Sequence, residues 1–225
     1  AERLAAIGQM VAGLAHESRN ALQRSQACLE MLALQVEDRP EALGLIARLQ
    51  KAQDHLHHLY EDVRDYAAPI RLERRECHLA TVWQEAWAHL ESQRKGRQAT
   101  LCDANAATNL RCEVDPFRLE RVFGNILENA LAACSDPVHI EVACTPAEIG
   151  GRPAVRVTFR DNGPGLRPED RQRIFEPFYT TKTKGTGLGM AISRRIVEAH
   201  GGRIAVGDGT GRGAEITITL PRGEL

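Results

Sequence analysis

The chain has 225 residues, enough for one large domain or two small ones, and 43% of them are hydrophobic, as in a globular protein. Its formal net charge of −1 gives no sign of a surface for nucleic acid or membrane. No segment approaches the roughly 18 apolar residues of a membrane span, we expect no signal peptide, and the six cysteines lack Cys-x-x-Cys spacing. We therefore expect reduced thiols and a cytoplasmic protein.

The N-terminal part of the chain carries a helical pattern. Apolar or small residues recur at heptad-like spacing through residues 3–36, from Leu4 to Leu32. The polar residues on the opposite face include His16, so the periodicity places this ring on the exposed side. Residues 37–40, which end in a proline, break the pattern, and a second apolar stripe runs from Leu45 to Tyr66.

Two such helices with a short connection predict an antiparallel helical hairpin over residues 1–68. A single hairpin cannot cover both apolar stripes well. We therefore expect a homodimer in which two hairpins form a four-helix bundle.

The pattern changes for residues 69–225, which are predicted to form a second domain. Strands are predicted over residues 71–78, 99–102, 111–114, 138–144, 154–160, 203–206 and 214–220. Helices are predicted over residues 79–95, 116–134 and 188–200, with Asp115 as the N-cap of the second. Because strands and helices do not alternate strictly, an α+β two-layer sandwich is favoured over a doubly wound sheet.

A glycine-rich stretch at residues 161–189 predicts a nucleotide site. Residues 161–165 read DNGPG, residues 175–182 read FEPFYTTK and residues 185–189 read GTGLG. Glycines let a backbone approach a bulky polyanion, and a helix N-terminus offers unpaired N–H groups to phosphates. The chain contains no Gly-x-x-x-x-Gly-Lys-Ser/Thr signature, which excludes a P-loop.

Five segments together resemble the sequence boxes of the sensor histidine kinases of two-component systems. They are HESRN at residues 16–20 (H box), NILENA at 125–130 (N box), DNGPG at 161–165 (G1 box), FEPF at 175–178 (F box) and GTGLG at 185–189 (G2 box). The boxes occur in the family order. The resemblance implies a dimerisation and phosphoacceptor hairpin followed by a catalytic ATP-binding domain of the histidine kinase/gyrase B type. Residues 179–187 resemble the short ATP lid of nitrogen-regulatory sensor kinases.

The resemblance makes His16 the residue that accepts the phosphoryl group. A neutral imidazole keeps a lone pair on one ring nitrogen for attack, although most exposed histidines are simply solvated. Glu17 would orient or deprotonate the ring, a role that rests on the resemblance alone. Asn20 lies four residues on, shares the helix face of His16, and would position water for dephosphorylation of the partner.

Asn125 and Asn129 lie four residues apart on a helix that is otherwise rich in apolar residues. They could be solvent-facing amides, but amide oxygens near a phosphate site also suit Mg²⁺. The resemblance makes Asn129 the direct Mg²⁺ ligand and Asn125 its helper beside the phosphates. Glu128 is a weaker candidate for a supporting carboxylate.

Asp161 could merely cap the turn that follows it. The resemblance makes it the acceptor for the adenine amino group, and Gly163 and Gly165 would give base and ribose close access. The remaining residues expected to bind ATP lie in the next segment: Lys182, Lys184, Gly185, Gly187, Leu188 and Gly189.

The expected activity is ATP-dependent autophosphorylation on His16, followed by transfer to an aspartate of a response regulator receiver domain. The chain begins inside a predicted helix, so we expect a fragment whose full-length protein carries a sensor region and can be membrane-anchored through it. One rival is an ATP-driven conformational ATPase of the gyrase B type, in which Glu128 would activate water and His16 would be incidental. Another is a degenerate scaffold that only docks a partner.

Overall fold

The structure, a computed structural model, describes residues 20–104, 110–182, 185–207 and 213–223, with the backbone alone at residues 55 and 58. The chain divides into two compact units. The first holds the residues up to Pro69 together with Thr180–Leu188, and the second holds Ile70–Tyr179 and the residues from Gly189 onward.

The first unit contains two helices joined by a short turn. Helix α1 covers residues 20–35, and helix α2 covers Pro40–Ala67 with a proline in its first turn, where a missing N–H has no cost. The Gln53 side chain donates a hydrogen bond to the Ser25 hydroxyl, and Leu29 and Ile46 are buried. No helix within the described ranges is long and apolar enough to cross a membrane.

Much of the two predicted apolar stripes is exposed in this unit. Leu32 is 44% exposed in α1, and Leu45, Leu49 and Leu56 are 61%, 54% and 51% exposed in α2. The buried residues Leu29 and Ile46 fall between the heptad-like positions of the two stripes and are not members of them. The stripes are thus not the faces that the two helices bury within one chain.

The second unit contains two sheets. A two-stranded antiparallel sheet pairs β1 (Arg75–His78) with β3 (Arg111–Val114). The five-stranded sheet has the order β2-β4-β5-β7-β6, and every neighbouring pair is antiparallel except the parallel pair β2–β4. Its strands are β2 (Ala99–Asp103), β4 (Val138–Ile149), β5 (Arg152–Asp161), β6 (Arg203–Val206) and β7 (Glu215–Pro221).

Helices form the second layer. They are α3 (Leu79–His89), α4 (Glu91–Arg94), α5 (Pro116–Ala133), α6 (Pro168–Arg173) and α7 (Gly189–Ala199). Helix α5 packs against α3 and α7. Its Phe123 ring lies 6.2 Å from the Trp83 ring and 5.3 Å from the Phe159 ring of β5, so an aromatic chain joins the two layers. The predicted α+β two-layer sandwich is confirmed.

The predicted N-cap of α5 is confirmed, and it forms part of a buried polar cluster. The Asp115 carboxylate accepts hydrogen bonds from the amides of Arg118 (3.0 Å) and Glu73 (2.9 Å). The Asp115 amide donates to Nε2 of His200 (3.0 Å), whose Nδ1 donates to the Ile196 carbonyl. Because burial disfavours the charged ring, the pKa of His200 is lowered.

Three predicted element boundaries were wrong. Strand β1 begins at Arg75, four residues after its predicted start at residue 71. The helix predicted over residues 79–95 is divided at Leu90, which is buried between α3 and α4. Strand β4 continues through Pro146 to Ile149, beyond its predicted end at residue 144. The partner strand β2 pairs with β4 only as far as Val142, so Pro146 lies where β4 has become an edge and its missing N–H costs no ladder bond.

Candidate nucleotide-binding site

The Asp161 carboxylate lies at the end of β5 and is held by the backbone around it. Its Oδ1 accepts hydrogen bonds from the amides of Gly163 (2.9 Å) and Ala214 (3.0 Å). The Asp161 amide in turn donates to the Ala214 carbonyl (3.0 Å). Both backbone amides donate to the same oxygen, Oδ1, so Oδ2 is the atom that can accept a hydrogen bond from a ligand.

An apolar pocket opens beside this carboxylate. Asn129, Arg160 and Asp161 are the polar or charged residues in its lining, and most of the others are aliphatic or aromatic. These are Ile126, Ala130, Ala133, Ile140, Phe159, Leu166, Ile174, Met190 and Ile216. A flat aromatic base with an exocyclic amino group fits this chemistry: an apolar slot for the ring and one oriented acceptor at its edge.

The glycines at this turn are required by close approach of the backbone. A Cβ on Gly163 would lie 2.8 Å from Sγ of Cys134, and one on Gly165, where φ is +78°, would lie 3.0 Å from the Gly213 carbonyl oxygen. A Cβ on Gly213, where φ is +90°, would lie 1.7 Å from the Asp161 carbonyl oxygen. At Gly163 the space is taken by a thiol and a carboxylate of the protein, a reason for glycine that the sequence did not suggest.

The Asn125 side chain hydrogen-bonds to the first turn of α7. Its Nδ2 donates to the Gly189 carbonyl (3.0 Å) and to the Ser193 hydroxyl (3.1 Å), and Ser193 is fully buried. The amide nitrogen is thereby committed, so the oxygen is the Asn125 atom with acceptor capacity for a ligand. Asn129 lies one turn further along α5 and lines the apolar pocket.

A segment that follows the F-like box and includes most of the G2-like box belongs to the first unit. This segment, Thr180–Leu188, includes the predicted ligands Lys182, Gly185, Gly187 and Leu188. The Thr186 hydroxyl donates to Oδ2 of Asp62 in α2 (2.7 Å), and Leu188 is fully buried. Gly189, by contrast, opens α7 in the second unit.

The predicted phosphoacceptor lies outside the described residues. This applies to His16 and Glu17, and also to Lys184. Asn20 lies at the start of the described part of α1 and is partly buried. The structure thus brings together Asn125, Asn129, Asp161, Gly163, Gly165 and Gly189 in the second unit.

The F-like box ends in an ion-paired cluster. The Asp170 carboxylate accepts from the Arg167 guanidinium (2.8 Å) and from the Tyr179 hydroxyl, and Arg173 stacks over the Tyr179 ring at 4.2 Å. The Arg167 guanidinium, followed by the Tyr179 hydroxyl, lowers the pKa of Asp170. The neighbouring Phe178 has a φ of +65° and is 62% exposed, so this turn is set by the cluster rather than by burial of its aromatic side chain.

Two residues at the site were missed by sequence reasoning. Ser193 is a polar residue on the apolar face of α7, four residues after Gly189, and that spacing was a usable signal. Cys134 lies beside Gly163, 29 positions later in the sequence, and no local pattern marks such an approach.

The residues present suit Mg²⁺ with phosphate oxygens, but not an all-protein metal cage. No cluster of His, Cys, Asp and Glu able to hold a metal exists among the described side chains. The amide oxygens of Asn125 and Asn129 are hard donors of the type that Mg²⁺ accepts beside phosphates and waters.

Glu128 points to a different surface. It is exposed, and its Oε1 accepts a hydrogen bond from Nε2 of Gln93 in α4 (2.9 Å). It does not line the apolar pocket beside Asp161. A water-activating glutamate, which the rival ATPase requires, is thus not provided by this residue in the described structure.

The second unit is therefore a two-layer nucleotide-binding domain. Residues 114–224 match the family "Histidine kinase-, DNA gyrase B-, and HSP90-like ATPase". The sensor histidine kinase ZraS of Salmonella typhimurium is 32% identical over 98% of this chain and 47% of its own length. The chain thus spans about half the length of the curated relatives it matches.

Solved structures agree with this match. The catalytic domain of histidine kinase ThkA is 31% identical with a TM-score of 0.57, and the match covers 67% of this chain and 96% of that domain. ThkA in complex with the response regulator TrrA gives 28% identity and a TM-score of 0.67, over 98% of this chain and 63% of that one. ShkA in complex with AMPPNP gives 29% identity and a TM-score of 0.73, over 95% of this chain and 45% of that one. The chain belongs to the sensor histidine kinase family.

Proposed function

We propose that this chain is the core of a sensor histidine kinase, a protein-histidine phosphotransferase that uses ATP and Mg²⁺. The observation that carries the proposal is the Asp161 carboxylate, oriented by two backbone amides at the edge of an apolar pocket. Such an acceptor selects adenine, whose amino group donates, over guanine, which has a carbonyl at that position. The AMPPNP bound by the relative ShkA supports ATP as the ligand.

The phosphates would extend from this pocket towards the Asn125–Asn129 face of α5 and the start of α7. Asn129 would bind Mg²⁺ directly, and Asn125 would assist beside the phosphates while its Nδ2 keeps α7 in place. When bound, Mg²⁺ supplies neutralisation of phosphate charge. The chain's own task is alignment, on which phosphoryl transfer chiefly depends.

The γ-phosphoryl group would pass to a ring nitrogen of His16, with Glu17 orienting the ring or taking up its proton. The phosphohistidine would then donate to an aspartate of a response regulator receiver domain. The ThkA–TrrA complex supports a partner of this kind. Asn20 would position water for the phosphatase reaction on the same partner.

The residues of the Thr180–Leu188 segment, with Lys182, Lys184, Gly185, Gly187 and Leu188, would act as a short ATP lid, with a lysine reaching the outer phosphate. The hydrogen bond from Thr186 to Asp62 of α2 is a contact of this segment that supports a role as a movable element. Gly189 would bring the α7 amides to the phosphates.

We also propose a homodimer built on residues 1–68, with residues 69–225 as the catalytic domain. The exposed leucines of α2 and Leu32 of α1 lie at the heptad positions predicted from the sequence. Large apolar side chains in a continuous stripe mark an association surface. A second hairpin of the same sequence would cover them, with His16 on the outer side of the bundle.

Radiolabel transfer tests the kinase assignment. The chain incubated with γ-labelled ATP is expected to become labelled in an acid-labile form, and His16→Gln is expected to abolish the label. Mixing His16→Gln with Asn129→Ala subunits tells whether transfer crosses the dimer. Label that persists in His16→Gln would refute the nucleophile assignment, and steady ATP hydrolysis without phosphoprotein would favour the conformational ATPase.

A further inference from the structure

Ser193 is a polar residue among the buried apolar side chains of α7. It is fully buried, and Met190, Ile196 and Val197 of the same helix are buried with it. A hydroxyl is normally buried in such surroundings only when it is hydrogen-bonded. The Ser193 hydroxyl donates to the Gly189 carbonyl (2.9 Å) and accepts from Nδ2 of Asn125 (3.1 Å). It therefore links the first turn of α7 to α5.

The three groups form a closed hydrogen-bonded triangle. Nδ2 of Asn125 also donates to the Gly189 carbonyl (3.0 Å), the same oxygen to which the Ser193 hydroxyl donates. The Asn125 amide lies alongside Gly189, where a Cβ would be 3.5 Å from both Cγ and Nδ2 of Asn125. A carboxamide nitrogen carries two protons, and both are used in this arrangement.

The triangle fixes which end of the Asn125 amide is turned towards α7. After a half rotation, Oδ1 would lie against the Gly189 carbonyl oxygen, which places two acceptors together with no proton between them. Because the Ser193 proton is already donated to that carbonyl, Ser193 can only accept, and this too requires the NH₂ end. Asn125 is thereby left with an oxygen to offer a ligand, and such an oxygen suits a magnesium ion better than a phosphate oxygen.

We propose that Ser193 is a positioning residue for the cation bound with the nucleotide: its hydroxyl engages one proton of the Asn125 amide, so that Asn125 presents only an oxygen to Mg²⁺ or to a water on it. The inference rests on the proposed nucleotide function. Without the hydroxyl, Nδ2 keeps its bond to Gly189, but its second proton is released and the amide is less restrained. The expected consequence is weaker binding of the metal–nucleotide complex, with binding of the metal-free nucleotide unchanged.

The test is calorimetric titration of the full 225-residue chain with AMPPNP, once with Mg²⁺ and once with EDTA. Ser193→Ala is expected to weaken binding of MgAMPPNP about three- to tenfold, the effect of losing one hydrogen bond. Its binding of AMPPNP in EDTA is expected to be unchanged, so the ratio of the two affinities falls. Ser193→Thr keeps a hydroxyl that can bond to the carbonyl four residues back, and it is expected to keep most of the wild-type ratio.

Thr219→Val is the matched control, because it removes another buried hydroxyl, at 9% exposure, from β7. A double-mutant cycle separates positioning from a general loss of structure. In an Asn125→Ala background, Ser193→Ala should leave the ratio unchanged, since Ser193 acts only through that amide. Equal losses with Mg²⁺ and with EDTA, a ratio like that of Thr219→Val, or the same effect of Ser193→Ala in both backgrounds would overturn the inference.

If Ser193→Ala does not fold, Ser193→Cys decides alone. Sulfur is a weak acceptor, so the ratio should fall in this variant, and an unchanged ratio contradicts the inference. Asp161→Asn separates the two proposals. An unchanged affinity for MgAMPPNP in Asp161→Asn refutes the nucleotide assignment, whereas a loss there without an effect of Ser193→Ala refutes only this inference.

Discussion

Asp161 collects its donors from separate parts of the chain. The Gly163 amide follows it in sequence, and the Ala214 amide immediately precedes the last strand. The resemblance to the kinase boxes singled out the carboxylate and its turn. It could not single out Ala214, because this residue is brought there by the pairing of β5 with β7 and not by a local pattern.

Gly213 provides a test of how closely its backbone approaches Asp161. Gly213→Ala would place a Cβ 1.7 Å from the Asp161 carbonyl oxygen, which is backbone and cannot yield. We expect a loss of more than about 4 kcal/mol in the free energy of unfolding, or failure to fold. Urea denaturation followed by circular dichroism measures it.

Gly150→Ala is the matched control. Gly150 also has a positive φ, +57°, but a Cβ there would meet nothing within 4 Å. Gly150→Ala should therefore lower the free energy of unfolding only by the backbone strain, about 1–2 kcal/mol. Equal effects of the two substitutions would mean that the approach of Gly213 to Asp161 is looser than described.

His200 predicts how stability depends on pH. Its pKa is lowered in the folded state by burial, so below the ordinary value of 6.5 the unfolded chain binds a proton that the folded chain excludes. The contribution of the neutral His200 ring to the free energy of unfolding is therefore fully present above pH 6.5. It decreases as the pH falls below that value, by at most about 1.4 kcal/mol per pH unit. Denaturation between pH 7.5 and 5 measures this slope above the range where carboxylates titrate.

His200→Gln should be less stable at pH 7.5, because the Asp115 amide loses its ring acceptor. The same variant should show a flatter slope between pH 6.5 and 5. A variant with the wild-type slope would assign the proton uptake to another group.

At the scale of elements, Arg97 holds the end of α5. Its guanidinium satisfies the carbonyls of Leu131 and Cys134, which have no partner within the helix. Arg97→Ala is expected to cost about 1–3 kcal/mol in the free energy of unfolding, and Arg97→Lys to recover only part, because an ammonium group lacks the planar fork. Urea titration measures both.

Arg156→Ala is the control, since Arg156 is an exposed arginine on the polar face of the sheet. It should stay within about 0.5 kcal/mol of wild type. If Arg97→Ala also changes the free energy of unfolding by no more than about 0.5 kcal/mol, water satisfies the α5 carbonyls instead.

Element types were predictable from periodicity and turn residues, but their lengths depended on neighbours. Strand β3 and the start of α5 follow from alternation and from the Asp115–Pro116 pair. The continuation of β4 past Pro146 follows from where β2 stops, which its own sequence does not encode. The break at Leu90 is likewise set by burial of that side chain.

At the scale of the whole molecule, the apolar stripes predict the oligomeric state. Leu49→Glu combined with Leu56→Glu would bury two unpaired carboxylates in the proposed dimer interface, a cost that favours dissociation. Light scattering after size exclusion should then give the chain mass of 24.8 kDa, and the wild type twice that mass.

Lys51→Glu is the control for this experiment. It changes charge on the same helix at an exposed position outside the stripe, so it should leave the dimer intact. A wild-type protein that already elutes with the mass of one chain would contradict the homodimer.

The hydrogen bond between Ala214 and Asp161 ties the residue just before the last strand to the proposed nucleotide pocket. During synthesis, the ribosome releases α5 and β5 well before residue 214, so the carboxylate emerges while one of its amide donors is still missing. The proposed adenine site is therefore completed late in translation, when β7 joins β5.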